Sequence, residues 1–411
     1  MTSSGKIRVF ALVRGTATAE VGRAVLGSVV FVIVARTLGA ESVGLYSATL
    51  AIVGFFSPFA GLSSGHWILR RVRRECIDGL PLLSRGVLLI IVTGLPFATA
   101  ACALCYFLLH AEIWTALLLA LSELVLTALV NLLGFYTLAK GSSLQYATVM
   151  LAPSVTKLSF ALLLPFFSMP SLQIWAVLYG SASFSALIVA SLCVMPKLVR
   201  PESFCSSDLR WCLQVSSTQL AQGAVNDLDK PFLVANGNLD AAGQYAGAYK
   251  LLSLSFFVAK AVQTATYPEF FTAEKQGYTS VMNVLNRALV FACGYGALCV
   301  VVALVGAPLA TVILGPSFED VPTYIRWLCL LLPIKFIQWF VADALTGLDR
   351  QGARTVLQIC AAVLTVVFLF LLVPPFGVSG AIATTLVVEV SYTVALVYVL
   401  RGKSSRMKRT Q

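Results

Sequence analysis

The stretch AIVGFFSPFAGLSSGHWILRRVRRECIDGLPLLSRGVLLIIVTGLPFATAACALCYFLL, residues 51–109, decides the class of fold. An apolar run ends in Arg70, Arg71, Arg73 and Arg74. After Arg85 a second apolar run continues to Leu109. Each run is long enough to cross a bilayer as a helix, which takes roughly 20 apolar residues. The basic gap between them is the signature of a cytoplasmic loop, because Lys and Arg resist translocation.

The same alternation extends along all 411 residues. Hydrophobic side chains make up 58% of the chain and charged ones only 11%, where ordinary soluble proteins carry about 25% charged residues. A soluble protein of this length could not cover itself with so little polar surface. Disorder is excluded by the abundance of apolar side chains to bury. The net charge of +11 points to cytoplasmic loops rather than nucleic acid, since no basic segment is long or rich in aromatics. The ten cysteines read as small apolar helix residues. Cys102 and Cys105 form a lone C-x-x-C with no second pair and no nearby histidine, which argues against zinc. The N-terminal apolar stretch carries Arg14, Glu20 and Arg23 and leads directly into further spans, unlike a cleavable signal.

The pattern predicts an all-α polytopic membrane protein with about 12 helices, over 10–36, 42–67, 83–109, 113–138, 144–167, 172–195, 210–235, 242–268, 281–306, 322–347, 353–373 and 379–400. Basic residues gather on one side: Lys6, Arg8 and Arg14; the five arginines above; Lys140; Lys197, Arg200 and Arg210; Lys275 and Arg287; Arg350 and Arg354; and Arg401, Lys403, Arg406, Lys408 and Arg409. Only Arg36 and Arg326 lie opposite. Both termini are therefore expected in the cytoplasm. The loop Pro196–Asp208 divides the chain into two sixes, residues 1–200 and 201–411. A short repeat supports the division: Glu41-x-x-Gly44-x-Tyr46 and Asp240-x-x-Gly243-x-Tyr245 each open a helix on the external side. The tyrosines are expected in the interfacial belt. Halves of six spans keep the same topology, as parallel repeats do.

The order and spacing of several motifs resemble the polysaccharide transporters of the MATE-like flippase (MOP) superfamily, and in particular O-antigen (Wzx-type) flippases of lipid-linked oligosaccharides. The motifs are Ala35-Arg36-Thr37-Leu38-Gly39 followed by Gly44-Leu-Tyr46, the arginine-rich segment after Gly61-Leu62, and Asp227 before Gly243-Gln-Tyr245. Ile313-Leu314-Gly315, Gly347-Leu-Asp-Arg350 and Phe376-Gly377-Val-Ser-Gly380-Ala-Ile-Ala383 complete the set. The resemblance spans essentially the whole chain. It implies two six-helix bundles, alternating access about a central cavity, and passage of a polyprenyl-pyrophosphate glycan from the inner to the outer leaflet. It further implies a bacterial inner-membrane location, a glycan polymerase as a partner, and a monomer.

Ionisable groups inside spans are costly and mark pathways or internal partners. The basic candidates for a pyrophosphate and glycan cavity are Arg23, Lys157, Lys230, Lys250, Lys260 and Lys335; the acidic candidates for ion coupling are Glu20, Asp227, Asp229, Asp343 and Glu389. Glu20 and Arg23 share a helix face, either as a phosphate receptor with its tuning acid or as a self-compensating pair. The run Asn226-Asp-Leu-Asp-Lys-Pro231 reads as a broken helix lining a proton or sodium site, or as charges at the external interface. Lys250 and Lys260 fall roughly on one face at two depths, lining a path or snorkelling outward. Lys157 and Lys335 read as cavity lining, and Lys335 and Asp343 share a face. Glu123 and Glu389 are central in their spans, as proton sites or as neutral acids bonded between helices. His66 and His110 lie at opposite ends of spans and cannot share a metal.

Three functions compete. The first is an ion-coupled flippase of a lipid-linked oligosaccharide, using a proton or sodium and no cofactor. The second is a cation-coupled exporter of small molecules. The third is a membrane glycan polymerase or ligase, for which the short external loops leave little room, so no enzyme activity is expected.

Overall fold

A computed structural model describes residues 3–75, 77–196, 199–274, 276–348 and 350–402, and within these the side chains of 20–73, 77–196, 199–267 and 269–274, and all from 276 to 348 and from 350 to 402. Cys76, Lys197, Lys275, Lys403, Arg406, Lys408 and Arg409, and the side chains of Lys6, Arg8, Arg14 and Arg74, lie outside them.

Every regular element among the described residues is helical. The chain forms two compact units, Met1–Gly223 and Ala224–Gln411. The first holds α1 (Ser3–Phe56), α2 (Ser64–Glu75), α3 (Gly79–Leu109), α4 (Ile113–Leu121), a π-helical segment Ser122–Thr127, α5 (Ala128–Lys140), α6 (Ser143–Ala161), α7 (Leu172–Val194) and most of α8 (Ser206–Asp227). The second holds α9 (Asp229–Ala235), α10 (Leu239–Ser253), α11 (Phe256–Glu274), α12 (Tyr278–Gly306), α13 (Leu309–Leu314), α14 (Val321–Leu328), α15 (Leu331–Gly347) and α16 (Gln351–Gly402).

Two elements are too long for single crossings. At about 1.5 Å per residue, the 52 residues of α16 exceed twice the roughly 30 Å of hydrocarbon. A glycine divides each: Gly39 (φ 78°, ψ 173°) in α1 and Gly377 (φ 55°, ψ −129°) in α16. Both conformations lie where a Cβ is not tolerated, so these glycines turn one span into the next. The expected pairs 10–36 with 42–67 and 353–373 with 379–400 are recovered on either side of them.

Other spans are broken in ways that hydropathy does not reveal. The second opens at Pro58, whose carbonyl accepts from Ser216 Oγ at 2.7 Å and Ser63 Oγ at 3.4 Å. The seventh divides at Leu228, where the ring of Pro231 would clash with the carbonyl of Asp227 in a continuous helix. In the eighth, Ser253 and Ser255 donate back to the carbonyls of Lys250 and Leu252, a local competition that weakens a helix; α10 ends and α11 begins there.

The expected boundary at residue 200 moves to Gly223. Val199 N–H donates to Ser84 Oγ and Glu202 N–H to the Pro81 carbonyl, both on α3. Phe204 stacks edge-on against the buried Trp67 at 5.1 Å. Cys212 joins the same core with Leu82, Leu83 and Tyr136. In the second unit α15 packs against α11, α12 and α16 and is almost wholly buried.

Gly39→Ala should lower the stability of the detergent-purified protein by roughly 1–3 kcal/mol, the cost of forcing a side chain into that backbone region. Gly54→Ala should not lower it, because Gly54 is helical and nothing lies within 4 Å of its would-be Cβ. Thermal unfolding followed by size-exclusion fluorescence compares the two.

Candidate functional site

In the first unit α1 lies against α6, and α6 against α7. This packing brings Lys157 of α6 to Glu123 of the π-helical segment and Tyr179 of α7. Lys157 Nζ donates to Glu123 Oε1 at 2.7 Å and to Tyr179 Oη at 2.5 Å. The Tyr179 hydroxyl in turn donates to the same carboxylate oxygen. The ammonium also lies 3.9 Å from the Tyr179 ring centroid. Glu123 is thus the counter-charge of Lys157 and not an isolated neutral acid.

Arg23 is less firmly held. Its Nη1 lies 3.4 Å from Glu20 Oε1 and 3.5 Å from Met150 Sδ, and its side chain stays 37% exposed. A cavity of about 340 Å³ is lined by Glu20, Arg23, Tyr46, Ser154, Lys157 and Tyr179. A second, of about 260 Å³, shares Glu20 and Arg23 and adds Glu123, Asn131, Tyr146, His66 and Gln219. Arg23 and Lys157 therefore line one polar cavity, the first loosely paired and the second tightly.

The second unit arranges its cations differently. Lys230 Nζ lies 2.8 Å from Asp227 Oδ1 and 3.3 Å from Asp229 Oδ1, and donates to the Asn226 carbonyl at 3.4 Å. Asp229 Oδ2 accepts from the Tyr245 hydroxyl at 2.6 Å. Asp229 and Lys230 are buried, while the Asp227 side chain is 51% exposed. Asp229, Lys230 and Pro231 of the run are thus enclosed by protein.

Lys335 Nζ donates to Glu389 Oε1 at 2.5 Å and to Asn226 Oδ1 at 2.9 Å. Gln338 Nε2 donates to the other oxygen of Glu389, also at 2.5 Å. Asn226 joins the two groups, through its carbonyl to Lys230 and its amide oxygen to Lys335. One buried polar chain thus runs from α9 and α10 to α15 and α16.

Lys335 and Asp343 share α15 but bond to different partners. Asp343 Oδ2 accepts from Gln263 Nε2 at 2.7 Å, and Arg354 Nη1 approaches Asp343 Oδ1 to 3.8 Å. Gln263 Oε1 accepts from Lys260 at 2.9 Å, and that ammonium lies 5.3 Å from the Trp339 ring. The expected single face for Lys250 and Lys260 does not form, because the helix breaks between them at Leu254 and Ser255. The residue Lys260 is exposed, and Lys250 is half-buried.

The repeated tyrosines also depart from expectation. Tyr46 and Tyr245 are buried, at 8% and 0% exposure, and not in an interfacial belt. Tyr46 packs edge-on against Tyr179 at 6.2 Å, beside the Lys157 group. Tyr245 bonds Asp229. Each copy of the acidic-x-x-Gly-x-Tyr motif thus supports a buried charge cluster in its own unit.

A model of the family described as polysaccharide biosynthesis protein matches residues 14–274. The chain belongs to that family. No curated protein matches its sequence. Among solved structures it is similar to a multidrug resistance MATE family transporter of the MOP superfamily in an inward-facing conformation, with a TM-score of 0.79, 15% identity, and coverage of 95% of this chain and 96% of that one. An outward-facing structure of such a transporter matches with a TM-score of 0.68, 15% identity, and 98% and 97% coverage. A MATE structure in complex with MaD3S gives 0.68, 14% identity, and 98% and 96% coverage. At such identity the likeness carries the fold and no residue roles. This family member is therefore an all-α, multi-pass membrane protein of MATE-like fold.

Ionisable residues were the natural sequence candidates, and the neutral members of the clusters escaped that filter. Asn226, Gln338, Gln263 and Tyr179 each bond a charged member of these clusters. Asn226 stands beside Asp227 in the run already singled out; Gln338 and Gln263 carry no comparable signal.

Lys335→Met should leave Glu389 buried without its counter-ion, lowering stability by about 3–5 kcal/mol. Adding Glu389→Leu should recover most of that loss. Thermal unfolding of the single and double variants measures both steps; equal stability of the single variant and the parent would show that the pair contributes nothing.

Proposed function

We propose that the protein is a flippase that moves a polyprenyl-pyrophosphate-linked oligosaccharide from the cytoplasmic to the outer leaflet of a bacterial inner membrane by alternating access. The observation that carries this reading is the pairing of Arg23 and Lys157 on one cavity of about 340 Å³, in a chain of the polysaccharide biosynthesis family. A guanidinium matches phosphate oxygens bidentately and an ammonium acts as a point charge. The cavity is too small for a whole glycan, so these two residues hold the charged linkage. Glu123 keeps Lys157 neutralised when no phosphate is present. An arriving phosphate competes with that carboxylate, and a released Glu123 takes up a proton more readily.

The same logic favours the proton as coupling ion over sodium. Asp227, Asp229 and Glu389 already face the ammonium groups of Lys230 and Lys335, which occupy the positions a sodium ion would need. Both termini are assigned to the cytoplasm from the charge count, with a glycan polymerase as the downstream partner and a monomer as the working form.

A second reading has its own support. The cavity also carries Glu20, with Glu123 beside it, and a cationic drug would pair with those acids in an exporter.

Arg23→Ala and Lys157→Ala should each reduce flipping roughly tenfold or more, the weight of a lost charge-assisted contact, at unchanged protein level. Arg23→Lys and Lys157→Arg should recover part of it. The assay deletes the gene in its host, restores each variant and labels lipid-linked repeat units by leaflet. Completed units held on the cytoplasmic leaflet in the deletion support the flippase; normal externalisation, with dye export by the purified protein, moves the conclusion to the exporter. Accumulation on the outer leaflet identifies a polymerase or ligase.

Asp227→Asn combined with Asp229→Asn should make transport insensitive to a proton gradient in vesicles, while removal of sodium should leave the parent unaffected. Gradient-driven transport that persists in the double variant, or that stops without sodium, rejects proton coupling through this cluster.

A further inference from the structure

Away from the cavities described above, the first unit carries a groove of about 680 Å³ at the end where α2 meets the start of α8. Arg70 and Arg210 line it, together with the hydroxyl-bearing Ser206 and Ser207. The Arg70 guanidinium stacks over the Trp211 indole, 4.8 Å from the ring centroid. Stacking fixes the plane of the guanidinium and leaves its N–H edge available. Among the described residues neither Arg70 nor Arg210 has a carboxylate within ion-pair distance. The acid nearest in sequence, Asp208, is buried and turned to Arg71, at 3.7 Å. Its charge is therefore already matched, and the groove keeps a net positive charge.

The groove also has an apolar side. Leu209 and Leu213 are four residues apart on one face of α8, and both are exposed, at 39% and 40%. Trp211 lies between them in sequence, an amphipathic ring of the kind favoured at headgroup depth. The segment leading into α8 is itself anchored. Phe204 packs against Trp67, and Arg85 stacks over Phe204 at 5.8 Å. Basic pockets beside membrane helices on the cytoplasmic side suit anionic lipid headgroups, and the charge count assigns this end to the cytoplasm. A free phosphate would use the arginines and serines but not the exposed leucines; a lipid uses both.

We propose that this groove is a binding site for the phosphate headgroup of an anionic membrane phospholipid, with Arg70, Arg210 and the Ser206 and Ser207 hydroxyls on the phosphate and Leu209 and Leu213 against the acyl chains. It is a surface site distinct from the cavity that holds Arg23 and Lys157, and it stands whichever cargo the protein carries. A lipid held there braces the start of α8 against α2.

Native mass spectrometry of the full chain, released from micelles doped with phosphatidylglycerol or phosphatidylcholine, tests it. The parent should retain phosphatidylglycerol in preference, with a roughly fivefold loss for each of Arg70→Gln and Arg210→Gln. Ser207→Asp keeps both arginines and places a negative charge in the groove, so it should lose the preference while remaining monodisperse. Arg287→Gln, an exposed arginine outside the groove, should retain it. Equal retention of the two lipids by the parent, or an unchanged preference in all three groove variants, overturns the proposal. Inorganic pyrophosphate serves as the competitor without acyl chains. Displacement of phosphatidylglycerol by an equimolar amount would show a phosphate site rather than a lipid site, and overturn it; retention supports the lipid.

Discussion

Hydrocarbon offers no hydrogen bonds, so each backbone group released by a broken span and each charge placed within one must find its partner inside the protein. That constraint organises both units. The carbonyl of Pro58 is met by Ser63 and Ser216, that of Asn226 by Lys230, and that of Ser255 by the Tyr295 hydroxyl at 2.9 Å. The ammonium groups within spans follow the same rule. Lys157, Lys230 and Lys335 each face a carboxylate within 2.8 Å; Glu123 also accepts from Tyr179 and Glu389 from Gln338. The breaks in the spans and the charges in them are thus one feature, since the irregular backbone supplies acceptors that a regular helix would not expose.

The two units apply this rule to different ends. In the first, Arg23 is left with a distant carboxylate and a thioether, and its surroundings are open. In the second, Lys230 and Lys335 are enclosed and saturated. A cation that must exchange partners belongs where a competing anion can reach it; one that must hold helices together belongs where nothing can. On this ground the proposed flippase would use the first unit to recognise its anionic cargo. The second carries a polar chain whose exposed end is Asp227.

The fold was legible because its signal is the longest-range one in the chain, the alternation of apolar runs with basic gaps. Gly39 and Gly377 were visible as motif residues, although their role as hinges between spans needed backbone angles. What escaped was local. The break between Lys250 and Lys260 depends on serine hydroxyls turning onto their own helix, and helical arithmetic across ten residues assumes a continuity that those hydroxyls remove. The belt assignment of Tyr46 and Tyr245 failed for a related reason. An amphipathic ring is equally at home at an interface and in a core that offers its hydroxyl a partner, and only the three-dimensional neighbours, Tyr179 and Asp229, distinguish the two. The boundary between the units moved because Trp67, Phe204 and Trp211 bind the loop and α8 to the first unit by packing that no composition shift announces.

The paired charges also account for a tension in any carrier of anions. A lysine alone in a span costs roughly 2.5–3.5 kcal/mol on insertion scales, and an unpaired one would hold a phosphate tightly enough to impede release. In the proposed flippase Glu123 would address both problems. It compensates Lys157, and it would remain within reach as a competitor when the phosphate leaves. Tyr179, which contacts both the ammonium and the carboxylate, keeps a neutral contact on whichever group loses its ionic partner. Such an exchange would leave the number of buried uncompensated charges nearly constant through the proposed cycle, because the carboxylate released by an arriving phosphate would be neutralised by a proton. Charge conservation of this kind, rather than a permanently cationic lining, is the economical way to pass an anion through a low-dielectric interior.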